Sequence, residues 1–186
     1  MRTLGYAVLS LLSREDLSGY DLKRMMERPL GYFSSAKHSQ IYPELARLEE
    51  DGYVTHRVVE QRGKPDKKVF GITAEGREAL KAWVTEPPAG RAARDELVLK
   101  AYSVWLAEPG AAAALFEEQG RRHEEQLKQY EEIEAWMEKN WGESPGRMGF
   151  EDFASYAALR RGIGFERDYA GWCRWVAAGL KERQSG

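Results

Sequence analysis

Ser39-Gln-Ile-Tyr-Pro-Glu-Leu-Ala-Arg-Leu-Glu-Glu-Asp-Gly-Tyr-Val54 leads into the basic segment Arg62-Gly-Lys-Pro-Asp-Lys-Lys68, and Ile72-Thr-Ala-Glu-Gly76 closes the stretch. Ile41, Leu45 and Leu48 recur at helical spacing and predict a short helix. Gly52 follows the acidic run Glu49-Glu50-Asp51 and suits a left-handed C-cap. Two strands are expected over 53–60 and 68–72, enclosing a turn that needs Gly63. Thr73 then caps another helix, lined by Leu80, Trp83 and Val84. Helix, basic hairpin, helix in that order predicts a winged helix-turn-helix. That arrangement lays one helix in a DNA groove with a cationic loop beside it.

The flanks extend the same pattern. Leu4, Ala7, Val8, Leu11 and Leu12 form an apolar stripe over 3–13, and Asp16-Leu17-Ser18-Gly19 reads as a turn with Ser18 as the next N-cap. The second helix runs to about residue 27 with Tyr20, Leu22, Met25 and Met26 toward the core, and Pro29 and Gly31 stop it. Pro87-Pro88-Ala89-Gly90 is the clearest boundary, dividing a DNA-binding domain, 1–86, from a helical domain, 87–186. Beyond it the sequence predicts helices over 95–107, 111–140 and 150–180, with a reversal at 142–149. Leu127, Tyr130, Met137 and Trp141 follow coiled-coil steps, and the last helix is apolar around much of its circumference. The fold class is therefore mainly α, a winged helix-turn-helix with a two-stranded wing followed by a long-helix dimerisation domain. Leu127, Tyr130, Met137, Trp141, Trp172 and Val176 are its expected self-association residues, since a thin helical hairpin rich in aromatics usually finds a partner chain.

Composition limits the alternatives. The 186 residues are 42% hydrophobic and 31% charged, ordinary for a globular chain, and a net charge of −2 opposes indiscriminate polyanion binding. Positive charge is local instead: Arg57, Arg62, Lys64, Lys67 and Lys68 outnumber Glu60 and Asp66 in the hairpin. A single cysteine, Cys173, forms no internal disulfide, and the apolar run from Leu4 to Leu12 is too short to span a bilayer. A cytoplasmic location with no membrane partner is expected. His38, His56 and His123 are far apart, and no metal-ligand spacing, nucleophile elbow or phosphate-binding glycine loop occurs, so neither enzymatic activity nor a metal or cofactor is expected. Acidic pairs such as Glu117-Glu118 belong to a solvated helix face.

Leu4-Gly5-Tyr6-Ala7-Val8-Leu9, Ser18-Gly19-Tyr20-Asp21-Leu22, Ile41-Tyr42-Pro43-Glu44-Leu45 through Gly52, and Thr73-Ala74-Glu75-Gly76 together resemble the PadR family of bacterial transcriptional regulators. The helical remainder is similar in layout to the virulence-activator-like half of one branch of that family. The resemblance implies a dimeric, effector-responsive repressor or activator, with repression the first reading. Its partners would be double-stranded DNA bearing an inverted-repeat operator, a second copy of the chain, and a small aromatic effector. From the residues themselves, Lys37, His38, Ser39, Gln40 and Tyr42 stand near the N-terminus of the groove-entering helix, where Gln reads adenine and the others reach bases or phosphates. Arg62, Lys64, Lys67 and Lys68 are the wing's phosphate contacts. The competing reading is a winged-helix protein-interaction module without specific DNA binding, whose mark would be an acidic or shortened wing.

Overall fold

The computed structural model describes residues 1–26, 40–60, 66–88, 95–142 and 144–183. The chain divides into two compact units, Met1–Ala89 and Gly90–Gly186.

In the first unit, helices α1 (Thr3–Leu12), α2 (Gly19–Met26), α3 (Ile41–Glu50) and α4 (Ala74–Val84) surround an antiparallel sheet of β1 (Leu17–Ser18), β2 (Val54–Val59) and β3 (Lys67–Ile72). The sheet has three strands in the order β1-β3-β2, not the expected two. Leu17 and Ser18, read from sequence as turn, pair with Phe70 and Val69 and occupy the free edge of β3. Val8, Leu9, Leu12, Leu22, Leu45 and Leu48 are almost completely buried and form the centre of the core. Removing such side chains from water stabilises by about 1.5–3 kcal/mol each. Tyr6 and Trp83 stack, with ring centroids 4.3 Å apart and planes within 7°, and so join α1 to α4.

Local signals set the element ends. Gly52 has φ +77°, Tyr53 N–H donates to Leu48 O at 2.8 Å, and Gly52 N–H donates to Glu49 O at 3.0 Å. This paired closure ends α3 and turns the chain directly into β2. Thr73 Oγ1 accepts from Gly76 N–H at 3.0 Å and donates to Gly52 O at 2.8 Å, tying the start of α4 to the end of α3. The close approach also explains Gly76, since a Cβ there would lie 2.1 Å from the Tyr53 carbonyl oxygen. The β2–β3 ladder runs from Val54↔Ile72 to Val59↔Lys67. Val54 is buried and Val58 is 56% exposed, so the hairpin leaves the core as it extends.

The second unit opens with α5 (Glu96–Tyr102), N-capped by Asp95, whose carboxylate accepts from Leu97 and Val98 N–H. The expected single helix over 95–107 is broken at Ser103, and a 3-10 turn, Val104–Leu106, follows. Two 33-residue helices, α6 (Pro109–Trp141) and α7 (Phe150–Glu182), pack together as a hairpin. Each is about 50 Å long at 1.5 Å per residue. Tyr156, Leu159, Ile163, Glu166, Ala170, Cys173, Ala177 and Leu180 are all buried, alternating steps of three and four along α7. Arg174–Glu124, Arg167–Glu131 and Arg160–Glu134 ion pairs bridge the helices and fix an antiparallel register. As exposed pairs each contributes about 0–1 kcal/mol, so the apolar seam carries the stability. Among the described residues no helix is long and apolar enough to cross a membrane.

Candidate nucleic-acid interface

The first turn of α3 separates its residues by phase. Ile41 and Glu44 are buried, whereas Gln40 and Pro43 are exposed and Tyr42 is 54% exposed. The inward residues fix the helix, leaving Gln40 and Tyr42 on its outer face. Lys37, His38 and Ser39, also expected near this helix start, lie outside the described residues, as do Arg62 and Lys64 at the wing turn.

Tyr20 is 63% exposed, which corrects its expected core position. Leu22, two residues on and roughly opposite at 100° per residue, takes the core side of α2. Tyr20, Tyr42, Gly19, Asp66, Lys67 and Lys68 line an open hollow of about 470 Å³ at the meeting point of α2, α3 and the wing root. The ring of Tyr42 lies so close over Gly19 that a Cβ there would be 2.5 Å from Cε1. Glycine at this position is what allows the ring to settle across the start of α2.

Of the three described hairpin cations, Arg57 pairs with Asp16 at 3.7 Å, and the two lysines at the wing root have different surroundings. Lys67 Nζ donates to Asp21 Oδ2 at 2.9 Å, and the Lys67 side chain is 37% exposed. Asp21 also accepts from Ser18 Oγ–H at 2.6 Å and Ser18 N–H at 3.2 Å, while Ser18 Oγ accepts from Asp21 N–H at 3.2 Å. This is the reciprocal geometry of a capping box, with Asp replacing the usual Glu. The Ser18 hydroxyl, followed by Lys67, holds the Asp21 carboxyl down to about 2. Lys68 is exposed and has no ion-pair partner among the described residues. On the other side of the wing, Glu49 Oε1 and His56 Nδ1 are 2.5 Å apart, joining the end of α3 to β2.

The residues expected at a self-association surface divide in the second unit. Tyr130 and Met137 are covered within the single chain, at 7% and 1% exposure. Leu127 and Trp141 are half-buried, and Trp172 and Val176 pack against the cluster around Phe116. Other large apolar side chains stand open: Leu99, Tyr102, Trp105 and Leu106 around α5, Phe150 at the hairpin turn, and Trp175 on α7.

An aromatic and acidic cluster lies under α5. Tyr169 O–H donates to Asp95 Oδ2 at 2.7 Å, and the Tyr169 ring rests 4.3 Å from the His123 ring. His123 Nδ1 contacts the buried carboxylate of Glu166. Burial, then the Asp95 carboxylate, raises the Tyr169 hydroxyl well above its ordinary value, while donation by Tyr169 lowers Asp95. Burial likewise raises the Cys173 thiol, which favours its protonated, unreactive form. No group of acidic, histidine or cysteine side chains suited to a metal ion occurs among the described residues.

Known proteins match this layout throughout. Residues 8–82 match the Transcriptional regulator PadR-like family, and residues 93–181 match the Virulence activator alpha C-term family. The negative transcriptional regulator PadR of Bacillus subtilis is 36% identical over 183 residues, covering 96% of this chain and 97% of the relative. Its crystal structure in complex with operator DNA superposes with a TM-score of 0.79 at 34% identity, over 96% of this chain and 97% of the other. Its complex with p-coumaric acid gives 0.71 at 33% identity, over 97% and 99%. The virulence activator AphA of Vibrio cholerae is similar at 28% identity, with a TM-score of 0.73 over 97% and 99% of the two chains.

Proposed function

The chain belongs to the PadR-like family of transcriptional regulators, and from that membership we propose that it is a dimeric, sequence-specific DNA-binding repressor of an inverted-repeat operator. The observation that carries this reading is the outer face of α3, where Gln40 and Tyr42 stand exposed, with Tyr42 lining one hollow with Lys67 and Lys68 of the wing root. Gln40 and Tyr42, with Lys37, His38 and Ser39 just before them in sequence, are the groove-facing set. Arg62, Lys64 and Lys68 place positive charge along the phosphates, whereas Lys67, expected from sequence as a fourth such cation, is engaged by Asp21. Binding of operator DNA by the Bacillus relative supports this assignment.

Residues 1–86 carry the DNA-binding role and 87–186 the dimerisation and effector role. The open apolar side chains of α5 and α7 supply the surface for a second copy, together with the accessible edges of Leu127, Trp141, Trp172 and Val176. A two-fold dimer sets its recognition helices about one DNA turn apart, roughly 34 Å. A small aromatic effector then acts by preferring one of two dimer states; p-coumaric acid bound to the Bacillus relative supports that class of ligand. The protein is a cytoplasmic regulator and not an enzyme, in keeping with its family and its single buried cysteine.

Salt dependence of DNA binding tests the assignment. Lys64→Gln and Lys68→Gln should weaken binding to every sequence and lower the salt slope by about 0.9 for each phosphate left unneutralised. Slopes equal to that of the parent protein would overturn the wing assignment.

A further inference from the structure

Lys67 and Lys68 are neighbours on β3, yet one is engaged internally and the other is not. The contact between Lys67 and Asp21 joins residues 46 apart in sequence and holds the first residue of β3 against the first turn of α2. Ser18 adds two further donors to the same carboxylate, and its own β1 position opposite Val69 anchors the arrangement in the sheet. Around this point sit Tyr20, Tyr42, Asp66 and Lys68, the exposed side chains of the hollow. Buried Phe70, paired with Leu17 and packed in the core with Leu22 and Ile41, holds β3 from its apolar side, while Tyr20 and Tyr42 are more than half exposed. Where β3 begins, the Asp21 carboxylate adds a polar tie from the wing root to α2.

We infer that Asp21 is a positioning residue for operator recognition: it engages Lys67 to hold the wing root against α2, leaving Lys68 as the phosphate contact at that root. The inference rests on the DNA-binding reading above and deepens it. Phosphate contacts fix the register of a protein on the duplex, so a wing root that shifts disturbs base readout without abolishing charge attraction. Freed Lys67 would also add a cation for any phosphate. Loss of Asp21 therefore has two opposite effects, with weaker discrimination and stronger nonspecific attraction. A purely structural residue would move both affinities the same way.

The experiment compares the full-length parent, Asp21→Asn, Lys67→Gln and Lys68→Gln. Each binds a duplex carrying the inverted repeat recovered by selection and a scrambled duplex of equal length, over a salt series. For Asp21→Asn the operator-to-scrambled affinity ratio should fall by about tenfold, the scale of losing a charge-assisted hydrogen bond. Its nonspecific salt slope should rise by about 0.9 as Lys67 is released. Lys67→Gln should lower the ratio with an unchanged slope, whereas Lys68→Gln should lower the slope by about 0.9. A slope that falls in Lys67→Gln as much as in Lys68→Gln would overturn the inference, even if Asp21→Asn fails to fold. An unchanged ratio in a folded Asp21→Asn protein would overturn it as well. Failure of the parent to prefer any duplex would instead defeat the DNA-binding reading on which it rests.

Discussion

Gly19→Ala perturbs the candidate interface through one side chain. The new Cβ would lie 2.5 Å from Tyr42 Cε1, 2.8 Å from Cζ and 3.0 Å from Oη. Ordinary carbon contacts are about 3.5–4.0 Å, so the near edge of the ring must retreat by roughly 1 Å. All three atoms are at the far end of a side chain that is 54% exposed, so the ring can move without displacing the core. An off-rotamer shift costs about 0.5–1.5 kcal/mol, against a gain of about 0.4–1 kcal/mol from restricting the unfolded chain. Net stability should stay within about 1 kcal/mol of the parent. If Tyr42 contacts DNA, displacing it should cost about 1–2 kcal/mol of operator binding, a five- to thirtyfold rise in Kd. Anisotropy titrations of a labelled operator duplex, paired with thermal melting, measure both quantities. The Gly19→Ala/Tyr42→Ala double variant should bind no worse than Tyr42→Ala alone, because the first change acts through the second residue. Parent-like operator affinity in a stable Gly19→Ala protein would refute this reasoning.

Gly76→Ala should destabilise the first unit by about 2–3 kcal/mol in chemical denaturation, because its Cβ meets the Tyr53 backbone rather than a side chain that can yield. Tyr169→Phe removes the hydroxyl that donates to Asp95 while keeping the ring; hydrogen exchange should quicken across Glu96–Tyr102, at a cost of about 1 kcal/mol. Asp21 has a folded pKa of about 2 against an ordinary 3.8, so its stabilisation is fully present above about 4 and is lost as pH falls through about 2. After solvent screening this amounts to about 1 kcal/mol, and acid titration of Asp21→Asn should lack that component.

Much of the first unit was legible because its signals are local. The spacing of Ile41, Leu45 and Leu48, the turn at Gly52 and the cap at Thr73 each act within a few residues, and each element they predict is present. The third strand was hidden because Leu17-Ser18 is too short to show alternation and exists only through its pairing with β3. Tyr20 was misplaced because aromatic character outweighed phase, although Leu22 two positions later fixes the inward side of α2. In the second unit the α7 seam was obscured by the charged Glu166 and by Ala170 and Ala177, whose small side chains give little apolar signal, although Cys173 suits a buried position in so apolar a helix. Their even spacing was visible, but the cover that α6 gives them was not. The break at Ser103 has no proline or glycine to announce it. The partner of Lys67 is equally nonlocal, since a run of wing cations does not reveal that one of them faces Asp21.

Selection of bound fragments from the source's own genomic DNA, with the purified full-length protein at near-physiological salt, tests the central claim most directly. Recovery of a short inverted repeat, with half-sites centred about 10 base pairs apart or a multiple of that spacing, is the expected result for a two-fold dimer. Recovery of only unrelated, salt-sensitive fragments, with and without a phenolic acid present, would contradict it.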